Sequence, residues 1–160
     1  MLAAAKGSTD SILKLLEYQV DPNLVDSNGH SALFEAVRHG HDDAMKLLLE
    51  HGAKLCMDDA KAASVLLQAV LDGDQLKLKR LLRANIPVNV AGHDKRTALH
   101  VAASEGNTAA LKILLEHGAD IHVRDRWNNS VLDEVRNSKS EQAIAFVSSL
   151  GVDEKPNKSM

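Results

Sequence analysis

Residues 92–106 read Gly92-His93-Asp94-Lys95-Arg96-Thr97-Ala98-Leu99-His100-Val101-Ala102-Ala103-Ser104-Glu105-Gly106. The Thr97 hydroxyl is a side chain able to accept from the free N–H groups of a helix start. Leu99, Ala102 and Ala103 then recur at helical spacing, and the small alanines admit a second helix at close range. Gly106 tolerates the positive φ that ends such a helix. Asn107 follows as a cap for another, which carries Leu111 and the pair Leu114-Leu115. The same pattern returns at one constant interval along the whole chain, without insertion or deletion. Gly7, Gly40, Gly73 and Gly106 share one column, with Lys139 in its fifth slot, and Ser31, Ser64, Thr97 and Ser130 share another. Leu33, Leu66, Leu99 and Leu132 form a third, and the pairs Leu15-Leu16, Leu48-Leu49, Leu81-Leu82 and Leu114-Leu115 a fourth. Several columns in one register define a structural repeat.

Each unit reads as a helix, a tight turn, a second helix and a polar connector. The hydroxyl column is expected to cap the first helix, and Ser8, His41, Asp74, Asn107 and Ser140 the second. Gly52, Asn85, Gly118 and Gly151 tolerate the left-handed conformation that closes the second helix, whereas Gln19 suits that place poorly. The run Thr97-Ala98-Leu99-His100-Val101-Ala102 resembles the T-P-L-H-x-A signature of the ankyrin repeat. The resemblance implies an all-α ankyrin-repeat solenoid of about four and a half helix-turn-helix units with short hairpin-like connectors. The units fall at about 1–25, 26–58, 59–91, 92–124 and 125–150, followed by a polar tail over 151–160 expected to be disordered. The signature proline is absent, since Ala32, Val65, Ala98 and Val131 stand there, and its histidine occurs only at His100. In the third unit the connector Asp58-Asp59-Ala60-Lys61-Ala62-Ala63 has no glycine. It predicts either a distorted finger or a first helix extended back toward Asp59.

Composition agrees with close-packed helices. Apolar residues make up 44% of the 160, yet the only aromatics are Tyr18, Phe34, Trp127 and Phe146. A net charge of −3, from 19 basic and 22 acidic residues, argues against nucleic-acid binding, which asks for a basic excess. Cys56 is the single cysteine, so no disulfide closes within the chain. The apolar stretch from Ser64 to Leu71 is too short to span a bilayer, and Lys6, Gly7 and Asp10 precede any apolar run, so no signal peptide is expected. Together these predict a cytoplasmic protein without direct membrane insertion. Leu2, Ala3 and Ala4 begin the first unit without a capping hydroxyl, which predicts a chain cut from a longer protein with an upstream unit. The last unit, with Lys139 and Ser148-Ser149 in place of glycine and leucine, reads as a capping repeat.

A closer resemblance lies in two runs. Lys95 to Gly106 is similar to the penultimate repeat, and Asp125-Arg126-Trp127-Asn128-Asn129-Ser130-Val131-Leu132-Asp133-Glu134 to the last, of arrays found in three settings. These are plant outward-rectifying potassium channels, animal-type glutaminases and some asparaginases. The glycine-free third connector is most like the channels or asparaginases, and Asn128-Asn129 is more like the glutaminases. In each setting the array is an appendage of something larger.

The histidines of His39-Gly40-His41 are expected to diverge about the helix-ending glycine, with no carboxylate or cysteine at ligand spacing, so no metal or cofactor is predicted. The ankyrin resemblance implies that His100 bonds to backbone in a neighbouring connector. Cys56, beside Asp58 and Asp59, is a poor nucleophile, and no glycine-rich loop cradles phosphate. No catalysis is expected. Binding is expected to be to protein, on a concave face formed by side chains the fold does not need. The ankyrin columns place Asn28, His30, Arg38 and His39 there from the second unit, and Lys61, Leu71 and Asp72 from the third. His93, Asp94, Arg96 and Glu105 come from the fourth, and Arg126 and Trp127 from the last. Ser27, Ala60, Ala63, Ser104, Asn129, Asn137 and Ser138 share those columns. The Trp127 ring is expected to pack on the neighbouring finger near His93 and Asp94, the alternative being a binding hot spot with Arg126. Leu71 stands as a small apolar contact, and Asp72 and Glu105 as a weakly acidic strip beside Arg38 and His39. The function predicted is a regulatory or scaffolding protein–protein interaction module. The alternative is an assembly module that docks on its own parent chain or a second copy, with chemistry or conduction lying upstream in an ankyrin-containing glutaminase, asparaginase or potassium channel.

Overall fold

A computed structural model describes residues 1–152, and among these every regular element is an α-helix. The helices are α1 (Leu2–Ala5), α2 (Thr9–Glu17), α3 (Ala32–His39), α4 (Asp42–Glu50), α5 (Asp59–Leu71), α6 (Gln75–Arg83), α7 (Ala98–Ser104), α8 (Thr108–Glu116), α9 (Val131–Asn137) and α10 (Glu141–Ser149). The sequence period survives intact. The helices α2, α4, α6, α8 and α10 are nine residues each and start in one register, at Thr9, Asp42, Gln75, Thr108 and Glu141. Of the expected tail, residues 153–160 lie outside the described residues.

Two compact units emerge: Met1–Ala62 with Leu76–Pro87, and Ala63–Gln75 with Val88–Met160. In the first, α3 packs against α1 and α4, and α2 against α4. In the second, α7 packs against α8 and α9, and α10 against both α8 and α9. The leucine columns form the cores, with Leu33, Leu66, Leu99, Leu78, Leu81, Leu111 and Leu114 fully buried. Small residues set the spacing. A Cβ built on Gly7 would lie 2.6 Å from the His41 ring, and one on Gly106 would lie 2.6 Å from Ser140 Cβ. These two turns meet the following repeat with no room for a methyl group, whereas the turn at Gly73 faces open space. At Lys139 and Gln19 the chain adopts φ of 57° without glycine, so at both places the turn wins over the residue's own preference.

Hydroxyl caps behave as expected at three of four positions. Ser31 accepts from the Phe34 N–H, Thr97 from His100 and Ser130 from Asp133. Ser64 is the correction, because it lies inside α5. That helix begins at Asp59, well before Val65 where the repeat would start it, and the Asp58 carboxylate accepts from the Lys61 N–H at 2.7 Å. With no turn residue in the connector, continuing the helix satisfies more backbone groups than a loop would. The caps of the second helices also divide. Asn107 and Ser140 accept from Ala110 and Ala143, but Ser8 and His41 make no cap, His41 lying instead 2.9 Å from the Ala5 carbonyl through Nε2.

His100 is fully buried and joins α7 to the last finger. Its Nδ1 lies 2.9 Å from Thr97 Oγ1 and its Nε2 3.3 Å from the Asn129 carbonyl. A neutral ring protonated at Nε2 satisfies both contacts. Burial holds its pKa below the ordinary histidine value, against the pull of the Asn129 carbonyl.

Two outcomes follow from this packing. Leu81→Ala or Leu114→Ala is expected to cost about 2–5 kcal/mol and half-buried Leu16→Ala less, measured by urea denaturation; equal costs would contradict the described burial. Because the unfolded chain takes up a proton on His100 at higher pH than the folded one, stability is expected to fall as pH drops below about 6.5. Urea midpoints between about pH 7.5 and about pH 5, above the range where the aspartates titrate, should fall less in His100→Gln than in the wild type. Identical slopes would contradict a neutral buried ring.

Candidate partner-binding surface

The connectors form short fingers closed by antiparallel bridges between Val25 and Ser31, Ala91 and Thr97, and Arg124 and Ser130. Each turn is fastened from inside by an aspartate. Asp26 Oδ1 accepts from the N–H groups of Asn28 and His30 at 2.8 and 2.9 Å, and Asp94 Oδ1 from that of Arg96 at 3.1 Å. Asp125 Oδ1 accepts from Trp127 and Asn129 at 2.9 and 2.8 Å. Burial alone would raise the Asp125 pKa, yet the Asn129 and Trp127 hydrogen bonds hold it below the usual aspartate value. For Asp26 the His30 N–H is the main cause of a lowered pKa. The carboxylates serve the turns, which leaves other side chains at the tips.

In the second unit the Arg126 N–H donates to the Asp94 carbonyl at 2.8 Å and ties two adjacent fingers together. His93, Lys95, Arg126 and Trp127 are exposed along their tips. Trp127 keeps 62% of its surface, while its backbone N–H is held by Asp125. Leu71, 56% exposed at the end of α5, is likewise open to solvent, as are Asp72 and Glu105. Arg96 departs from expectation. It is largely covered and lies 3.1 Å from Glu134 Oε2, a carboxylate that is itself nearly buried. Ala63, placed in the same column, is buried because α5 absorbs the third connector.

In the first unit Lys61 takes over the missing finger's place. Its ammonium donates to the carbonyls of Asn28 and Gly29 at 2.9 and 3.3 Å and lies 5.9 Å from the centre of the Phe34 ring. His39 and His41 do not diverge: their rings lie nearly parallel with centres 6.3 Å apart. Nor are carboxylates remote from the histidines. Glu35, buried on α3, has its carboxylate 3.0 Å from His30, 3.4 Å from His39 and 3.2 Å from Arg38. Spacing along the chain concealed this grouping, because the finger folds His30 back over the start of α3. Cys56 is exposed with φ of 53° and Sγ 3.6 Å from the Asn23 carbonyl.

No helix among the described residues is long and apolar enough to cross a membrane. No curated protein matches the chain. A family model described as ankyrin repeats (3 copies) matches residues 1–90 and again 56–125. With that match over most of its length and helix pairs repeating in a single register, the chain belongs to the ankyrin-repeat family, whose members are generally protein–protein interaction modules.

Proposed function

We propose that the chain binds a protein partner through its finger tips and helix ends, on the concave side that ankyrin repeats use, and itself performs no catalysis. The observation that carries this reading is Trp127, which stands 62% exposed on a finger whose backbone is fixed by Asp125 and Asp94. A large ring with two side-chain torsions on a fixed backbone loses little freedom on binding, and Trp and Arg are among the residue types enriched at hot spots. Arg126 beside it is exposed, whereas Arg96 is engaged with Glu134. Leu71, Asp72 and Glu105 supply the helix-end part of the same surface, with His93 and Asp94 between.

A second reading, an assembly module docking on its parent chain or on another copy, is favoured by the first helix pair. Leu2 and Tyr18 are 71% and 82% exposed, and a groove of about 110 Å³ is lined by Ala4, Ile12, Leu15, Leu16, Val20 and Leu24, among others. Apolar patches of this kind mark association sites. The potassium-channel, glutaminase or asparaginase settings suggested by the sequence belong with this reading.

The two separate in a capture experiment. Proteins retained from lysate by the wild-type chain are expected to bind Trp127→Ala/Arg126→Ala about 30-fold more weakly, the loss of about 2 kcal/mol typical of a hot spot, with helical content unchanged. Equal binding by both chains, with loss in Leu15→Glu/Tyr18→Glu instead, would move the interface to the first helix pair.

A further inference from the structure

Asp26, His30 and Glu35 each offer one ligand atom, and these atoms lie within 4.8 Å of one another. The other atom of each carboxylate is already held. Asp26 Oδ1 is taken by the Asn28 and His30 N–H groups, while Oδ2 lies 4.0 Å from His30 Nδ1. Glu35 Oε2 accepts from the Arg38 guanidinium at 3.2 Å. Glu35 Oε1 is buried and has no hydrogen-bond partner, in a residue only 7% exposed. It lies 3.0 Å from His30 Nδ1, but the two are not aligned as donor and acceptor. A carboxylate oxygen withdrawn from water with no donor is costly. A cation shared with the imidazole nitrogen removes that cost.

The separations suit such an ion. Two ligands about 2.1 Å from a tetrahedral metal stand about 3.4 Å apart; the two separations to His30 Nδ1 are 4.0 and 3.0 Å and all three atoms lie within 4.8 Å, so small side-chain adjustments close them on one ion. One imidazole and two carboxylates favour zinc-like ions over calcium or magnesium, which prefer oxygen throughout. Arg38 and the turn N–H groups stand where outer-shell partners orient metal ligands. The nearby ammonium of Lys61 is directed at the carbonyls of Asn28 and Gly29. We propose that Asp26, His30 and Glu35 form a three-ligand site for zinc or a similar divalent transition-metal ion, the remaining position being left to water. The ion would clip the first finger to the start of α3, pinning the fingertip residues Ser27 and Asn28 of the partner surface.

The test is calorimetric titration of the chelator-treated full chain with zinc chloride. Wild type is expected to bind one zinc per chain. Asp26→Asn, which keeps an oxygen for the turn N–H groups but loses the anionic ligand, and His30→Ala are each expected to weaken binding by at least about 10-fold, a loss reached even by outer-shell changes. His51→Ala/His117→Ala, which removes exposed imidazoles far along the chain from the group, should bind as wild type does. Zinc should raise the thermal midpoint of the wild type and not that of His30→Ala. Absence of binding, binding undiminished in Asp26→Asn and His30→Ala, or binding abolished in the His51/His117 variant would each overturn the proposal.

Discussion

A pair of short helices cannot bury its own apolar face, and everything else in this protein follows from that constraint. Leu33 and Leu99 are fully buried on helices that pack against a helix of the adjoining repeat, α1 against α3 in one unit and α9 against α7 in the other. The approach demanded by this stacking is what excludes a methyl group at Gly7 and Gly106, where the next repeat's His41 and Ser140 press on the turn. Once the stack is formed it imposes the left-handed turn even on Lys139, which has no intrinsic liking for it.

Polar groups then divide into those the stack consumes and those it leaves over. Ser31, Thr97, Ser130 and His100 are buried with their hydrogen bonds made inside the repeat or to its neighbour. Asp125 is consumed by its own finger, whose Asn129 and Trp127 hydrogen bonds outweigh the burial that would raise its pKa. Asn23 and Asn89 occupy equivalent places in different repeats, each bridging to the backbone of the following connector through Lys54 and Asp120. Trp127, Arg126 and Leu71 are left over, and a side chain free of structural duty is one that can serve a partner.

The exception to the period is itself instructive. Where the third connector lacks turn residues, α5 runs back to Asp59 and Lys61 reaches the carbonyls that a finger would have faced. One cation and a longer helix replace a hairpin. The leucines behind it remain in register, since Leu66 and Leu78 are as deeply buried as their counterparts.

Helix order, the repeat register, the core columns and three of four hydroxyl caps were legible along the chain, because each depends on residues close in sequence or on strict repetition, and the extension of α5 was one of two outcomes that the glycine-free connector allowed. The pairing of Arg96 with Glu134 was not, since those residues belong to different repeats and meet only when the chain between them has folded. Trp127 could be placed at a fingertip from sequence, but the 62% exposure it keeps there depends on the surface of the next finger. Glu35 was the least legible of all. It occupies a helical position that reads as solvent-facing polar, and only the finger folded over α3 buries it between His30, Arg38 and His39. Local spacing determines helices and turns; contacts between neighbouring fingers exist only once the chain has folded.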